Sequence, residues 1–213
     1  MANRPASRPT SRRRRRPRVR LVLAISLDGF LADDAGREDK QGLFDLRAEA
    51  DAVLVGARTV VAHDLALSLP KPLQERRRRK GRLPIPIRAI VSGRLGIRAA
   101  RRLFRGGDPP WVFTTRRGDV PGARVVRLRA PLRMRGVVQE LAKHGARLIQ
   151  AEGGARLAQA LFDEGLVDEL VLTLCPEVLG KGIRMPFPRT MRLRIVRIER
   201  LGRNVRIWLE RDR

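Results

Sequence analysis

Cysteine occurs once, at Cys175, tyrosine not at all, and two Trp and six Phe are the whole aromatic complement of the 213 residues. A single cysteine excludes an internal disulfide, a Cys-rich zinc site and a CxxC redox pair, and is the usage expected in a reducing cytoplasm. The shortage of aromatics argues against a dedicated single-strand nucleic-acid binder, which interleaves basic side chains with rings on which bases stack. Long apolar runs are missing too. Residues 21–25 and 170–175 are strand-length and bounded by charges, far short of the roughly 18 to 20 apolar residues of a membrane-spanning helix. The first 20 residues lack the apolar stretch of a secretory signal, so a cytoplasmic protein without a membrane span is expected.

Positive charge is abundant instead. Lys and Arg number 47 against 22 Asp and Glu, for a net charge of +25, and only Lys40, Lys71, Lys80, Lys143 and Lys181 are lysines. Nine arginines and no acid lie in residues 1–20, so more than a third of the net charge sits in one terminal segment. That segment is Pro, Ser and Arg with almost nothing to bury. A disordered tail is therefore expected over 1–18 and a single domain over 19–213, with any attraction of the tail for polyanions nonspecific and electrostatic. The remainder is rich enough in hydrophobics to pack a core.

Residues 20–26 (RLVLAIS) form a near-continuous apolar run, the pattern of a strand buried on both faces, and the turn residues Leu27, Asp28 and Gly29 follow. Helical spacing over 43–50 leads into a second buried strand, 52–55, that stops at Gly56. Residues 70–86 read as a Pro-bounded insertion whose basic run, Arg76 to Lys80, is a solvated loop. Strands are expected at 87–91, 111–115, 124–128, 147–151 and 169–175, and helices at 137–143 and 155–164. Alternating residues at 192–200 and 205–210 give a terminal antiparallel hairpin. The fold class is α/β: a mostly parallel central sheet flanked by helices and finished by that hairpin.

In such folds chemistry gathers at the carboxyl ends of the strands. Four ends carry suitable residues. At Glu152, Gly153, Gly154 and Ala155 a strand turns into a helix through two glycines, which let backbone N–H groups approach a diphosphate at the positive end of the helix dipole. A tight strand–helix turn explains the same pair without a ligand. Gly56 to Thr59 offers a small-residue turn and a hydroxyl, Ser26 to Gly29 a hydroxyl and a carboxylate, and Ser92 to Arg94 a hydroxyl and a guanidinium. Four in one chain suggest a dinucleotide cleft.

The succession SLDG (26–29), DAVLVGARTV (51–60), EGGARL (152–157), GLVDEL (165–170) and PEVLG (176–180) resembles the pyrimidine reductases of riboflavin biosynthesis, the reductase half of the RibD deaminase-reductase, over about 18–211. The resemblance implies a dihydrofolate-reductase-like fold and a homodimer. It also implies NADPH-dependent reduction of 5-amino-6-(5-phosphoribosylamino)uracil, or its 2,5-diamino pyrimidinone counterpart, to the ribitylamino form. The zinc signature of the deaminase half has no counterpart here. By matching position, Ala24 and Thr59 would line the cofactor site, and Gly154 to Ala160, with Gly153, Ala155, Arg156 and Leu157 at the turn, would hold its diphosphate. Ser92 is placed with the cofactor as well. Arg47, Leu67 and Glu152 would meet the substrate: Arg47 as a bidentate ligand of its phosphate, Glu152 as an acceptor for pyrimidine N–H groups. Phe30 stands where relatives often carry Lys or Arg, and His63, Asp64 and Leu65 stand where Asp-Asp-Pro is common.

Asp28 is the nearest general acid by motif, with a turn-capping carboxylate as its other role. His63 reads as a surface residue with the option of catalysis, and Cys175 as an inert buried thiol. For an NADPH 2′-phosphate the cations on offer are Arg94 and the Arg76 to Arg79 run. Two other functions stay open: a reductase of the same fold acting on another pterin-like or carbonyl substrate, which Phe30 encourages, and a basic nucleic-acid-binding protein with an inactive site.

Overall fold

The computed structural model describes residues 16–32, 36–97, 101–188 and 190–212. Most of the expected tail, residues 1–15, lies outside the described residues. Among the described residues nine strands are formed: β1 (Arg18–Ser26), β2 (Ala52–Gly56), β3 (Ile87–Val91), β4 (Trp111–Thr114), β5 (Arg124–Arg127), β6 (Leu148–Glu152), β7 (Glu169–Cys175), β8 (Leu193–Leu201) and β9 (Asn204–Arg211). Five helices accompany them: α1 (Gly36–Glu49), α2 (Ala57–Ala62), α3 (Lys71–Arg79), α4 (Met134–Lys143) and α5 (Ala155–Asp163). The strands make one sheet in the order β5-β4-β3-β2-β6-β1-β7-β9-β8. Pairing is parallel from β5 to β7 and antiparallel from β7 to β9 and from β9 to β8.

The near-continuous apolar run of β1 has its cause in this order. β1 lies between β6 and β7, with helices on both faces, so both sets of its alternating side chains are covered. Val19, Leu21, Leu23 and Ile25 pack with Val137 and Leu141 of α4 and Leu157 and Leu161 of α5. On the opposite face Val22 meets Leu46 of α1 and Val171, and farther along the sheet Val53, Val55, Ile90 and Val112 pack with Val60 of α2. The polar positions of that second face, Arg20, Gln150, Glu152, Thr173 and Arg206, are buried under α1, and this is where the unusual chemistry lies.

Three readings of the sequence change. β1 starts at Arg18, and Arg16 and Arg18, expected in the tail, are already tied down: Arg16 forks onto both oxygens of Asp168 at 2.7 Å, and Arg18 reaches Glu210 at 2.9 Å. α1 starts at Gly36, well before the apolar spacing of 43–50, because its first turn is latched by a charge. The buried Arg206 donates to the Asp39 carboxylate at 2.8 Å and Asp39 accepts from Thr173 Oγ1 at 2.6 Å. The insertion 70–86 contains α3, and its basic run is not a solvated loop throughout. Arg77 is 3% exposed and donates to the carbonyls of Ala48, Ala50 and Leu83, the first two at the end of α1, which has no further helical N–H to offer them. Burial pulls this guanidinium down to about 10, aided by Arg82 and opposed by Asp51, and it stays charged at neutral pH.

Candidate active site at the carboxyl end of the sheet

The four strand ends singled out in the sequence belong to β3, β2, β6 and β1, which are consecutive neighbours in the sheet. β6 enters between β2 and β1 from a later part of the chain, so the strand order reverses there, and a crevice forms where the loops diverge.

At the end of β6 the chain passes through Gly153 (φ 58°) and Gly154 (φ 75°) into α5. Both conformations are left-handed, and the contacts are as demanding. A Cβ on Gly154 would stand 2.7 Å from Thr59 Oγ1, and one on Gly153 3.1 Å from Thr59 Cγ2. The turn is therefore packed against Thr59 on the first turn of α2, which brings two of the expected cofactor segments into contact. No side chain caps α5 and no acid lies in its first turn. The N–H groups of Leu157 and Ala158 bond to Gly154 O, while those of Ala155 and Arg156 have no hydrogen-bond partner among the described residues. Two free donors at a helix N-terminus next to a Cβ-less turn suit a diphosphate. Arg156 is exposed there, whereas the Leu157 side chain belongs to the core.

Immediately before the turn stands Glu152, 6% exposed, and Arg47 reaches it from the last turn of α1. Arg47 Nε donates to Oε1 at 2.7 Å and Nη2 to Oε2 at 2.6 Å, a bidentate pair, and Gln150 Nε2 donates to Oε1 at 2.9 Å. Glu152 holds the Arg47 pKa up against the opposing effect of burial. Of the roughly four acceptor positions of a carboxylate, three are filled. One remains, on Oε2. The guanidinium also lies 5.5 Å from the Phe44 ring, and only its Nη1–Nη2 edge stays open. Arg47 and Glu152, expected to hold opposite ends of a substrate, thus hold each other.

Asp28 does different work from a general acid. Its Oδ1 accepts from Ser26 Oγ at 2.6 Å and from Leu179 N–H at 3.1 Å, and its Oδ2 from Gly180 N–H at 2.7 Å. The Ser26 bond and the two backbone bonds pull its pKa to about 2 against some desolvation, so it carries no proton to donate at neutral pH. It fastens the PEVLG segment to the SLDG turn, with Leu27 N–H bonded to Glu177 O at 2.8 Å.

Ala24 is half-buried on β1 beside the crevice. Ser92 is 2% exposed at the end of β3, its N–H bonded to Phe113 O. Leu67 is 2% exposed within the cluster of Val53, Val55 and Val60 and adopts a left-handed φ of 50°, so its side chain is part of the core. Arg94 is exposed at the carboxyl end of β3. Arg76 to Arg79 are at the opposite end of the sheet: Arg77 bonds the chain where it enters β2, so this run is removed from a 2′-phosphate site beside the strand ends. His63 is exposed at the end of α2 and Cys175 is fully buried. One participant went unnoticed in the sequence, Gln150, and the alternation of β6, which places residues 150 and 152 on one face, could have identified it.

No group of three or more His, Cys, Asp or Glu among the described residues is placed to hold a metal ion, and no described helix is long and apolar enough to cross a membrane.

Comparison with known proteins gives the same fold. The family model of the RibD C-terminal domain matches residues 17–207. The 2,5-diamino-6-ribosylamino-4(3H)-pyrimidinone 5′-phosphate reductase of Archaeoglobus fulgidus is 30% identical over 208 residues, covering 88% of this chain and 94% of its own. The riboflavin biosynthesis protein RibD of Haemophilus influenzae is 28% identical over 79% of this chain, which spans only 49% of that longer protein. In solved structures the fold recurs in a pyrimidine reductase-like protein of Corynebacterium diphtheriae, with TM-score 0.75, 19% identity and 92% of each chain covered. It recurs also in a riboflavin biosynthesis reductase of the yeast Saccharomyces, with TM-score 0.76, 22% identity and 92% and 90% covered. With its fold and nearly its whole length matched in this way, the chain belongs to the RibD C-terminal domain family.

Proposed function

We propose that this protein is an NADPH-dependent reductase that converts a ribosylaminopyrimidine 5′-phosphate to its ribitylamino form in riboflavin biosynthesis. The observation that carries the reading is the end of β6, where the unbonded N–H groups of Ala155 and Arg156, following the Gly153–Gly154 turn, directly adjoin a buried carboxylate with one acceptor position open. The name of the Archaeoglobus relative supplies the substrate class.

The residues fit the cofactor. Ala155 and Arg156 N–H would take its diphosphate, Thr59 and Ala24 would flank it, and the exposed Arg94 would meet a 2′-phosphate. Reduced nicotinamide, when bound, supplies a hydride equivalent to C1′ of the open-chain ribosylamino group. The chain's own work is orientation: Glu152, fixed by Arg47 and Gln150, accepts one pyrimidine N–H, and the packed turn against Thr59 sets the distance between the two ligands. The proton that accompanies the hydride does not come from Asp28, which is ionised.

A second copy of the chain would cover the apolar side of the terminal hairpin, where Ile195 and Ile198 are 54% and 61% exposed, giving a homodimer. A cytoplasmic location accords with the biosynthetic role. Phe30 favours one other reading, a reductase of this fold acting on a different pterin-like or carbonyl compound, because the position carries a buried ring. Incubation with NADPH and each of the two pyrimidine phosphates, the 2-amino and the 2-oxo, followed by mass analysis decides between them. A product heavier by two hydrogens from either supports the proposal, and none from both, with NADPH bound, supports the other reading.

A further inference from the structure

We propose that Arg184 is a phosphate-binding residue at the mouth of this cleft, poised for a phosphate of the substrate or of the cofactor. The proposal takes its ligands from the reductase reading, but its observations are independent of it. β7 pairs with β1 as far as Ser26, opposite Cys175, whereas β6 leaves β1 at Val22, opposite Glu152. Beyond that point the vacant side of β1 is taken by residues 30–32. Leu31 bridges to Ile25, Ser26 N–H bonds to Phe30 O and Ala32 N–H to Ala24 O. This strip therefore lies where β6 would have continued past Glu152. Residues 183–185 run beside it: Phe30 bridges to Arg184, Leu31 N–H bonds to Ile183 O and Met185 N–H to Gly29 O. Arg184 thus belongs to the outer strand of a two-stranded flap whose inner strand continues the line of β6 beyond Glu152, at the end of the sheet that carries Glu152 and the double-glycine turn.

Among the described residues the side chain is held but not neutralised. Its guanidinium stacks on the Phe30 ring, 4.7 Å from the centroid, and the ring is 8% exposed and backed by Gly182, where a Cβ would come within 3.6 Å of it. Nη1 lies 3.5 Å from Asp28 O, and among the described residues Arg184 has no carboxylate partner. A stacked guanidinium keeps its plane fixed and its N–H edges free for an oxyanion. The flap is itself fastened by the Asp28 carboxylate on Leu179 and Gly180. Arg47, the buried cation at this strand end, already spends its Nε–Nη2 edge on Glu152. A phosphate arriving at the cleft needs a cation, and Arg184, fixed on its ring, is presented with its edges open among the described residues.

Calorimetric titration of the full chain with ribose 5-phosphate and, separately, with NADP tests this without requiring turnover. Arg184→Ala should weaken one of the two at least tenfold, ribose 5-phosphate if the group held is the substrate's and NADP if it is the cofactor's. Arg184→Lys should recover part of the loss. Arg105→Ala, which removes an exposed arginine elsewhere, should leave both within twofold and so excludes a general field effect. Affinities of Arg184→Ala within twofold of wild type for both probes, or no binding of either by wild type, would overturn the proposal. Loss of binding in a protein that reduces no pyrimidine would instead uphold Arg184 and reject the substrate reading.

Discussion

Arg47 and Glu152, 105 residues apart in the chain, form a buried bidentate ion pair at the strand end where cofactor and substrate are expected to meet. Their side chains are 8% and 7% exposed, so neither charge can be moved to water without unpacking α1 from the sheet. The pair orients the carboxylate, and it ties the end of α1 to β6. Breaking it should therefore affect stability as well as binding.

Removal of Arg47 leaves an uncompensated buried carboxylate, and Arg47→Ala should cost about 3–5 kcal/mol in urea unfolding. Glu152→Gln in the same chain should restore part of that, because the charge left behind is gone. In activity, Arg47→Ala should raise KM for the phosphorylated pyrimidine far more than the Kd for NADPH. A stability loss below about 1 kcal/mol would place the pair in the class of solvent-screened contacts.

Gly154→Ala should fold poorly or bind cofactor at least tenfold more weakly, since the new methyl meets Thr59 Oγ1 at 2.7 Å in a backbone region that costs an L residue roughly 1–2 kcal/mol. Adding Thr59→Ala removes the collision and leaves only the backbone cost. Recovery of stability in the double variant, measured by thermal melting, is the expected result; an unrelieved defect would show that the contact is not the constraint.

The lowered pKa of Asp28, about 2, is a depressed acid, so its stabilisation is complete above the ordinary carboxylate value of 3.8 and disappears as pH falls through about 2. Asp51 acts in the same direction. Burial opposes its ionisation, but Arg82 and the N–H groups of Leu148 and Arg147 outweigh it. Acid unfolding of wild type should therefore run below pH 4, and Asp28→Asn should flatten that limb and speed amide exchange at Leu179 and Gly180 while leaving the pH dependence of kcat near neutrality unchanged. A shifted neutral-pH profile in this variant would return Asp28 to proton transfer.

Much of this site was legible in the chain. The strand ends at Ser26, Gly56, Ser92 and Glu152 carried their signals locally, as glycines and hydroxyls after apolar runs, and β3 and β7 have the limits expected. The pairing of Arg47 with Glu152 was not legible, because it depends on β6 entering between β2 and β1, which no local pattern encodes. α3 and the first turns of α1 were hidden for a related reason: Arg77 and Asp39 are held by distant partners, and charged residues without apolar spacing look like solvated loop until those partners are known.

Discrimination between cofactors should rest on Arg94. NADPH is expected to be used in preference to NADH, and Arg94→Ala should reduce kcat/KM for NADPH by an amount equivalent to about 1.5–3 kcal/mol while sparing NADH. Equal use of the two by wild type would remove the need for any 2′-phosphate site.

The central claim is that substrate and cofactor meet at the end of β6 and that hydride passes between them there. NADPH carrying deuterium at the transferable position, incubated with the protein and the ribosylaminopyrimidine 5′-phosphate, tests it most directly when the product is read by mass and NMR. The account predicts one deuterium at C1′ of a ribitylamino product, formed in step with NADPH oxidation and lost in Gly154→Ala. Turnover without deuterium in the product, or NADPH binding with neither the 2-amino nor the 2-oxo pyrimidine reduced, would contradict it.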